Sequence, residues 1–276
     1  MRVTFYDENF TEIDIGIFGV KTLDLVVSSP TPEHHRQDIS GQNGIVTLGS
    51  NLGSRTLTVV FFISAVDKYD FYLVRNEVFK VFNGLKFLYI VDEREPGKRW
   101  KIKLDTNYTM ERLTAVHAKF EMTFVSDSPF AESIGTTADP LTFDAEVWQI
   151  GQGLLAEDDI VYTQTANSFQ IYNPGDETVD PRNIHTPLTI EVTAASTAAS
   201  ATLTLTNTTT GDVWTYTGAT TAGQVIQLKN VECLKGGASV ALNTNFGLIK
   251  LKPGYNSFTK SSNISSVKFI SRFYYK

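Results

Sequence analysis

At 276 residues, 42% of them hydrophobic, the chain is long enough for two ordinary domains that each bury a core, and disorder is excluded as the default. A net charge of −6 and the absence of any Lys/Arg run of five or more exclude the electrostatic footprint that phosphate backbones and anionic lipids demand, so neither nucleic acid nor membrane is an expected partner. The single cysteine, Cys233, can neither close an internal disulfide nor complete a Cys-based metal site, and a buried thiol is expected.

The opening Met-Arg-Val-Thr-Phe-Tyr-Asp-Glu carries charge where a secretory leader has its apolar core. No apolar run approaches the roughly 18–20 residues of a spanning helix, so cytoplasmic synthesis without export by that route is expected. Ile13, Ile15 and Ile17 alternate with Asp14 and Gly16, and Leu23, Leu25 and Val27 alternate with Asp24 and Val26, which predicts two half-buried strands turning at Gly19. From Ser28 to Ser54 the apolar content collapses. Asn43-Gly44 is a tight-turn signal flanked by extended residues, so this stretch reads as a hairpin with little apolar surface to pack on its own domain, an arm that projects and finds partners elsewhere.

Arg55-Thr-Leu-Thr-Val-Val-Phe-Phe-Ile63 is β-branched and aromatic and predicts a strand buried on both faces at its apolar end. Phe71, Val74, Val78, Val81 and Phe82 then recur at helical steps, with Asp67 as N-cap, Asp70 in the first turn and Gly84 as the left-handed stop. Lys86–Val91 returns as a strand. A helix between β-rich flanks must pack on a sheet. Arg99–Leu104 and Val116–Phe124 alternate cleanly, and Ser133–Asp139 with Pro140 marks a domain boundary. Beyond it Thr and Ala replace the charges. Leu188–Val192, Leu203–Leu205, Trp214–Tyr216, Val225–Leu228, Leu248–Leu251 and Val267–Phe273 predict the short strands of an antiparallel sandwich. Ala194–Ala201 reads as a loop or weak strand.

Catalytic chemistry is not visible. Adjacent His34 and His35 point to opposite sides of an extended arm and cannot chelate together, while His117 and His185 read as surface residues. The acidic runs Asp92–Glu95 and Glu157–Asp159 read as solvated turns, since adjacency does not supply the facing carboxylates of a glycosidase. The Gly-rich stretches lack the Lys and the following helix of a phosphate cradle, and no nucleophile elbow occurs. No catalytic residue, cofactor or metal is expected. Tyr108, Trp148, Trp214 and Tyr216 are the residues from which a sugar-stacking surface on the second sandwich would be built, although large rings in short strands more often fill the core.

The pieces Ser40-Gly-Gln-Asn-Gly44, Arg55-Thr-Leu-Thr-Val-Val-Phe61, Arg75-Asn-Glu-Val-Phe-Lys-Val-Phe82, Glu95-Pro-Gly-Lys-Arg-Trp100 and Ser128-Pro-Phe130 follow one another in the first half. Phe169-Gln-Ile-Tyr-Asn-Pro-Gly175, Pro187-Leu-Thr-Ile190 and Leu251-Lys-Pro-Gly-Tyr-Asn256 follow in the second. In that order and spacing the chain resembles the distal tail protein family of long-tailed, non-contractile phages. The resemblance implies a mainly β protein. Residues 1–134 would be a ring-forming, sandwich-like domain with one α-helix and a projecting hairpin, and residues 135–276 a galectin-like antiparallel β-sandwich. It implies a homohexameric ring at the virion tail tip, with one face on the tail tube protein and the other on a tail-associated lysin or fibre protein. Receptor-binding protein would be held by the outward sandwich. Gln42-Asn43 departs from a pair commonly charged in the family, and no sugar-binding signature is present.

The residues support one point independently: an identical arm reaching from each copy to the next is a heterologous contact, which closes into a ring or runs on as a filament. His34, His35, Arg36, Gln37, Asp38, Ile39, Gly41, Asn43, Gly44 and Ile45 are expected at that subunit contact. The rival readings are a monomeric carbohydrate-binding module of a cell-wall enzyme and a glycosidase fragment.

Overall fold

The computed structural model describes residues 2–142, 145–154 and 160–276. It is mainly β and separates into two units, Met1–Ala131 with Lys276, and Glu132–Tyr275. The first contains strands β1 (Val3–Tyr6), β2 (Val20–Val27), β3 (Pro32–Asp38), β4 (Ile45–Leu52) and β5 (Arg55–Ser64), then helix α1 (Lys68–Val81) and strands β6 (Leu88–Asp92), β7 (Lys98–Leu104) and β8 (His117–Ser126). Leaving β3 and β4 aside, the strands neighbour one another in the order β1, β6, β7, β8, β5, β2, every pair antiparallel.

Strand β5 is the centre of this unit. It pairs along its whole length with β8, from Arg55 opposite Ser126 to Ser64 opposite His117, and with β2 on its other edge. Alternation persists to its end: Leu57, Val59, Phe61 and Ile63 are buried, whereas Val60 and Phe62 are only half-buried. The expectation of burial on both faces is thus corrected, because the second face of the apolar run is covered only by side chains such as His117, whose ring stacks on Phe62 at 5.5 Å. On the inner face Phe5 of β1 lies 5.9 Å from Phe61, 5.0 Å from Phe82 and 6.0 Å from Phe124. These stacked, tilted and edge-on ring contacts add to the area they remove from water, which is why this cluster is the core of the unit.

Helix α1 buries Phe71, Val74 and Val78, followed by Phe82. Its first turn is closed by Asp67, whose carboxylate accepts from the amides of Tyr69 (2.7 Å) and Asp70 (2.8 Å), and Asp70 reaches back to the amide of Val66 at 2.8 Å. Gly84 takes φ +74° just beyond the end.

The chain's opening differs from the expectation. Asp14 accepts from the Gly16 amide at 2.9 Å and folds Ile15–Phe18 into a 3₁₀ turn that leaves Ile17 exposed. Gly19 ends it with φ +70°, where a Cβ would stand 2.5 Å from the Ser64 carbonyl oxygen. In β2 the register shifts between Thr22 and Asp24, so Leu23 is the extra residue of a bulge and faces solvent while Val20 and Leu25 are buried. Strand β1, too short and too charged at its flanks to stand out in the sequence, completes the sheet through Val3 and Phe5.

The second unit contains β9 (Ser168–Asn173), β10 (Leu188–Ala194), β11 (Leu203–Asn207), β12 (Asp212–Tyr216), β13 (Val225–Lys229), β14 (Glu232–Lys235), β15 (Gly254–Lys260) and β16 (Ile264–Ser271). One sheet runs Thr163–Gln164, β16, β10, β13, β14, Ala238–Ser239, and the other runs β9, β15, β11, β12. Rings from both meet between them: Phe169 stacks on Phe258 at 5.4 Å, and Phe258 meets Phe269 at 5.0 Å. This is an antiparallel sandwich with alternate residues inward. Leu248–Leu251 is not the strand that the sequence suggests, since only Leu251 exchanges backbone bonds, with Val179. The Asn245 side chain takes the place of a neighbouring strand, accepting from the Thr215 amide at 2.9 Å and donating to the Val213 carbonyl at 3.0 Å. Ser133 and Thr137 are buried inside this unit, with Thr137 Oγ1 donating to the Phe269 carbonyl at 2.7 Å.

Candidate functional site

Strands β3 and β4 pair with each other and form a two-stranded sheet of their own. Every residue from Thr31 to Asn51 is exposed. An isolated two-stranded hairpin is marginal in water, so this one needs local support. Side chains across the strands supply it: His34 Nδ1 lies 2.7 Å from Ser50 Oγ, His35 Nε2 lies 2.8 Å from Asn51 Oδ1, and Asn51 Nδ2 donates to Glu33 at 3.0 Å. The two histidines do diverge, and each is occupied by a neighbour within the hairpin.

The root is clamped. The Gly53 amide donates to the Thr31 carbonyl at 2.8 Å, the Ser28 amide to the Thr56 carbonyl at 3.0 Å, and the Thr56 amide to Ser28 Oγ at 3.1 Å. Buried Arg55 donates through Nε to the Ser28 carbonyl at 2.7 Å, with its guanidinium 4.8 Å from the Trp100 ring centre. The hairpin therefore leaves a rigid base and stands away from the sheet that carries it.

Two details correct the expectation. The strands stop at Asp38 and resume at Ile45, so the connection is the longer loop Ile39–Gly44, with Gly41 at φ +84° and Gly44 at φ +101°, and not a two-residue turn at Asn43-Gly44. The arm is also less polar than its composition implies, because Ile39, Ile45, Val46 and Leu48 all lie on its surface. Between His35 and Arg36 the register jumps over Leu48, which as the extra residue of a bulge is 66% exposed. All ten residues expected at a subunit contact, His34 through Ile45, sit on this arm or its tip loop.

Elsewhere the residues singled out from the sequence have local partners. Trp148, Trp214 and Tyr216 are buried, and Tyr108 belongs to the first unit, where it donates to the Val78 carbonyl at 3.3 Å and stacks on Phe120. Those four aromatics do not form one sugar-facing platform on the second sandwich. Asp92 is tied to Arg94 at 2.6 Å in its turn, while Glu157–Asp159 lies outside the described residues. Among the described residues no three His, Cys, Asp or Glu side chains converge as metal ligands, and no helix is long and apolar enough to cross a membrane. Burial pushes the Cys233 thiol up to about 11, partly opposed by a hydrogen bond with Trp214. His117, bonded to Thr114 at 2.9 Å, and His185 are half-buried and not fully on the surface.

Residues 9–126, the stretch that holds the arm, its clamp and α1, match the family model of the phage tail protein RIFT-related domain. This segment is similar to that family of phage tail domains. Over the whole chain, the SPP1 Dit (gp 19.1) protein, described as a paradigm of the hub adsorption apparatus in phages infecting Gram-positive bacteria, superimposes with a TM-score of 0.70 at 14% identity, covering 99% of this chain and 100% of its own. At that identity the likeness is one of fold, and the chain shares the Dit fold. Chains of the phage p2 baseplate in its activated conformation align with TM-scores of 0.43 with Sr and 0.44 with Ca, at 9% and 10% identity, over 99% of this chain and 98% of theirs. No curated protein matches the sequence. The sequence resemblance to the distal tail family is borne out by the family model in the first half and by the fold throughout.

Proposed function

We propose that this phage tail protein is a non-enzymatic hub: six copies close into a ring at the distal end of a long non-contractile tail. One face of the ring docks the tail tube protein and the other the tail-associated lysin or fibre protein, with receptor-binding protein held by the second, galectin-like unit. The observation that carries the reading is the arm, exposed without interruption from Thr31 to Asn51 on a clamped base. An exposed hairpin has two unpaired edges, which natural proteins cover or pair, and gripping the next copy covers them. The family match of residues 9–126 and the Dit fold support the setting.

The test is the mass of the particle. Light scattering after size exclusion, at several loadings because assembly follows mass action, is expected to give six times 30.6 kDa for the full chain and a monomer after deletion of Glu33–Ser50. A full chain that stays monomeric at every loading while binding saccharide would favour the carbohydrate-binding module instead.

A further inference from the structure

Two groups of exposed apolar side chains stand out on the first unit, and neither is covered by the other. One is the arm, with Ile45 and Leu48 both about two-thirds exposed. The other is the outer side of α1, opposite the buried row Phe71, Val74 and Val78. There Tyr69 is 70% and Leu73 65% exposed, one turn apart, with Tyr72 and Phe79 beside them, and the 3₁₀ turn packed next to the helix adds Ile17. Exposed apolar side chains clustered on one helix face mark a contact.

Charge selects the occupant. Lys68 sits 4.8 Å over the Tyr69 ring, Arg75 5.0 Å over Tyr72, and Arg112 4.9 Å over Phe71 while donating to the Tyr72 hydroxyl at 3.2 Å. Among the described residues none of these three cations is paired with a carboxylate. The arm carries the converse, since Asp38 at the end of β3 stands opposite Ile45 and, among the described residues, no ion pair joins it to a cation. An apolar pair beside a carboxylate fits an apolar helix face flanked by cations that no carboxylate engages, and each subunit offers one of each.

We infer that the arm of one copy seats on the outer face of α1 in the next, with Ile45 and Leu48 against Tyr69 and Leu73 and Asp38 toward Arg75 and Arg112. This deepens the ring reading and rests on it. The contact is heterologous, so it propagates in one direction around a closed assembly.

The test uses a Cys233→Ala background, free of other cysteines, with Leu48→Cys in one preparation and Leu73→Cys in another. Mixed and oxidised, the two are expected to give disulfide-linked dimers. Leu48→Cys mixed with Leu242→Cys, an exposed position in the second unit, is expected to give none. Leu73→Glu, at a solvent-facing position, is expected to keep its melting temperature and lose the ring by light scattering. A ring that persists in Leu73→Glu, without the cross-link in the mixture, overturns this seating and leaves the ring reading standing. Protection of the Leu73→Cys thiol from maleimide only on addition of tail tube protein gives the face to that protein and likewise overturns the seating. An unmodified chain that never forms a ring overturns both.

Discussion

His34 and Ser50 face each other across the arm, Nδ1 to Oγ 2.7 Å, and one step further toward the root Asn51 holds both His35 and Glu33. The arm is thus stiffened where it leaves the body, and its distal half is left to its backbone ladder.

Asn51→Ala removes two of these side-chain bonds at an exposed position. Two exposed hydrogen bonds at about 0.5 kcal/mol each, the low end of the net range, contribute about 1 kcal/mol together, roughly a fivefold change in an opening equilibrium. Amide exchange over Pro32–Leu52 is therefore expected to accelerate about fivefold, measured by mass spectrometry, with the melting temperature of the body unchanged.

Phe5 is fully buried and touches the rings of Phe61, Phe82 and Phe124. Phe5→Ala is expected to destabilise the first unit by about 3–5 kcal/mol, through lost transfer energy and the cavity left behind. Denaturant titration should show the first-unit transition moving while that of the second stays in place.

Asp67 closes the first turn of α1 through two amides. Asp67→Ala is expected to cost about 0.5–2 kcal/mol and Asp67→Asn much less, since the amide oxygen still caps. The same denaturant titration separates the two variants.

In the second unit Tyr162 donates to the Tyr172 carbonyl at 2.7 Å and Tyr275 to the Gln152 carbonyl at 3.0 Å, and burial drives both hydroxyls well above the ordinary tyrosine range. Cys233 is pushed up to about 11 in the same unit. The folded state therefore keeps protons that the unfolded chain releases from about pH 9 upward, so stability is full below that pH and falls as pH rises. Denaturation midpoints measured from pH 7 to 11 should be flat to about pH 9 and then drop, less steeply in Tyr162→Phe.

Where one period governs a long stretch, the sequence was easy to read. Alternation across Ala118–Phe124 and the helical spacing of Phe71, Val74 and Val78 both report which side faces the core, because burial imposes that period. Short-range chemistry overrode the pattern elsewhere. Asp14 captures an amide and coils Ile15–Phe18, and the bulge at Leu23 shifts the faces by one residue. The arm was legible from its poverty in apolar residues. Its exposed Ile45 and Leu48 were not, since nothing local says whether an apolar side chain has a neighbour to lie against. The outer row of α1 escaped for the same reason: Tyr69 and Leu73 fall off the core stripe and look like ordinary surface residues in a linear reading.

The Thr31–Gly53 and Ser28–Thr56 bonds hold the two ends of the arm together between strands β2 and β5, which are already neighbours in the sheet. Cutting the excursion away leaves a short loop that these two strands can close unaided. The excursion is thus a cassette: its length and lettering can change without disturbing how the sheet beneath it folds. The surface that the arm presents can therefore be re-lettered separately from whatever sets the unit's robustness to heat.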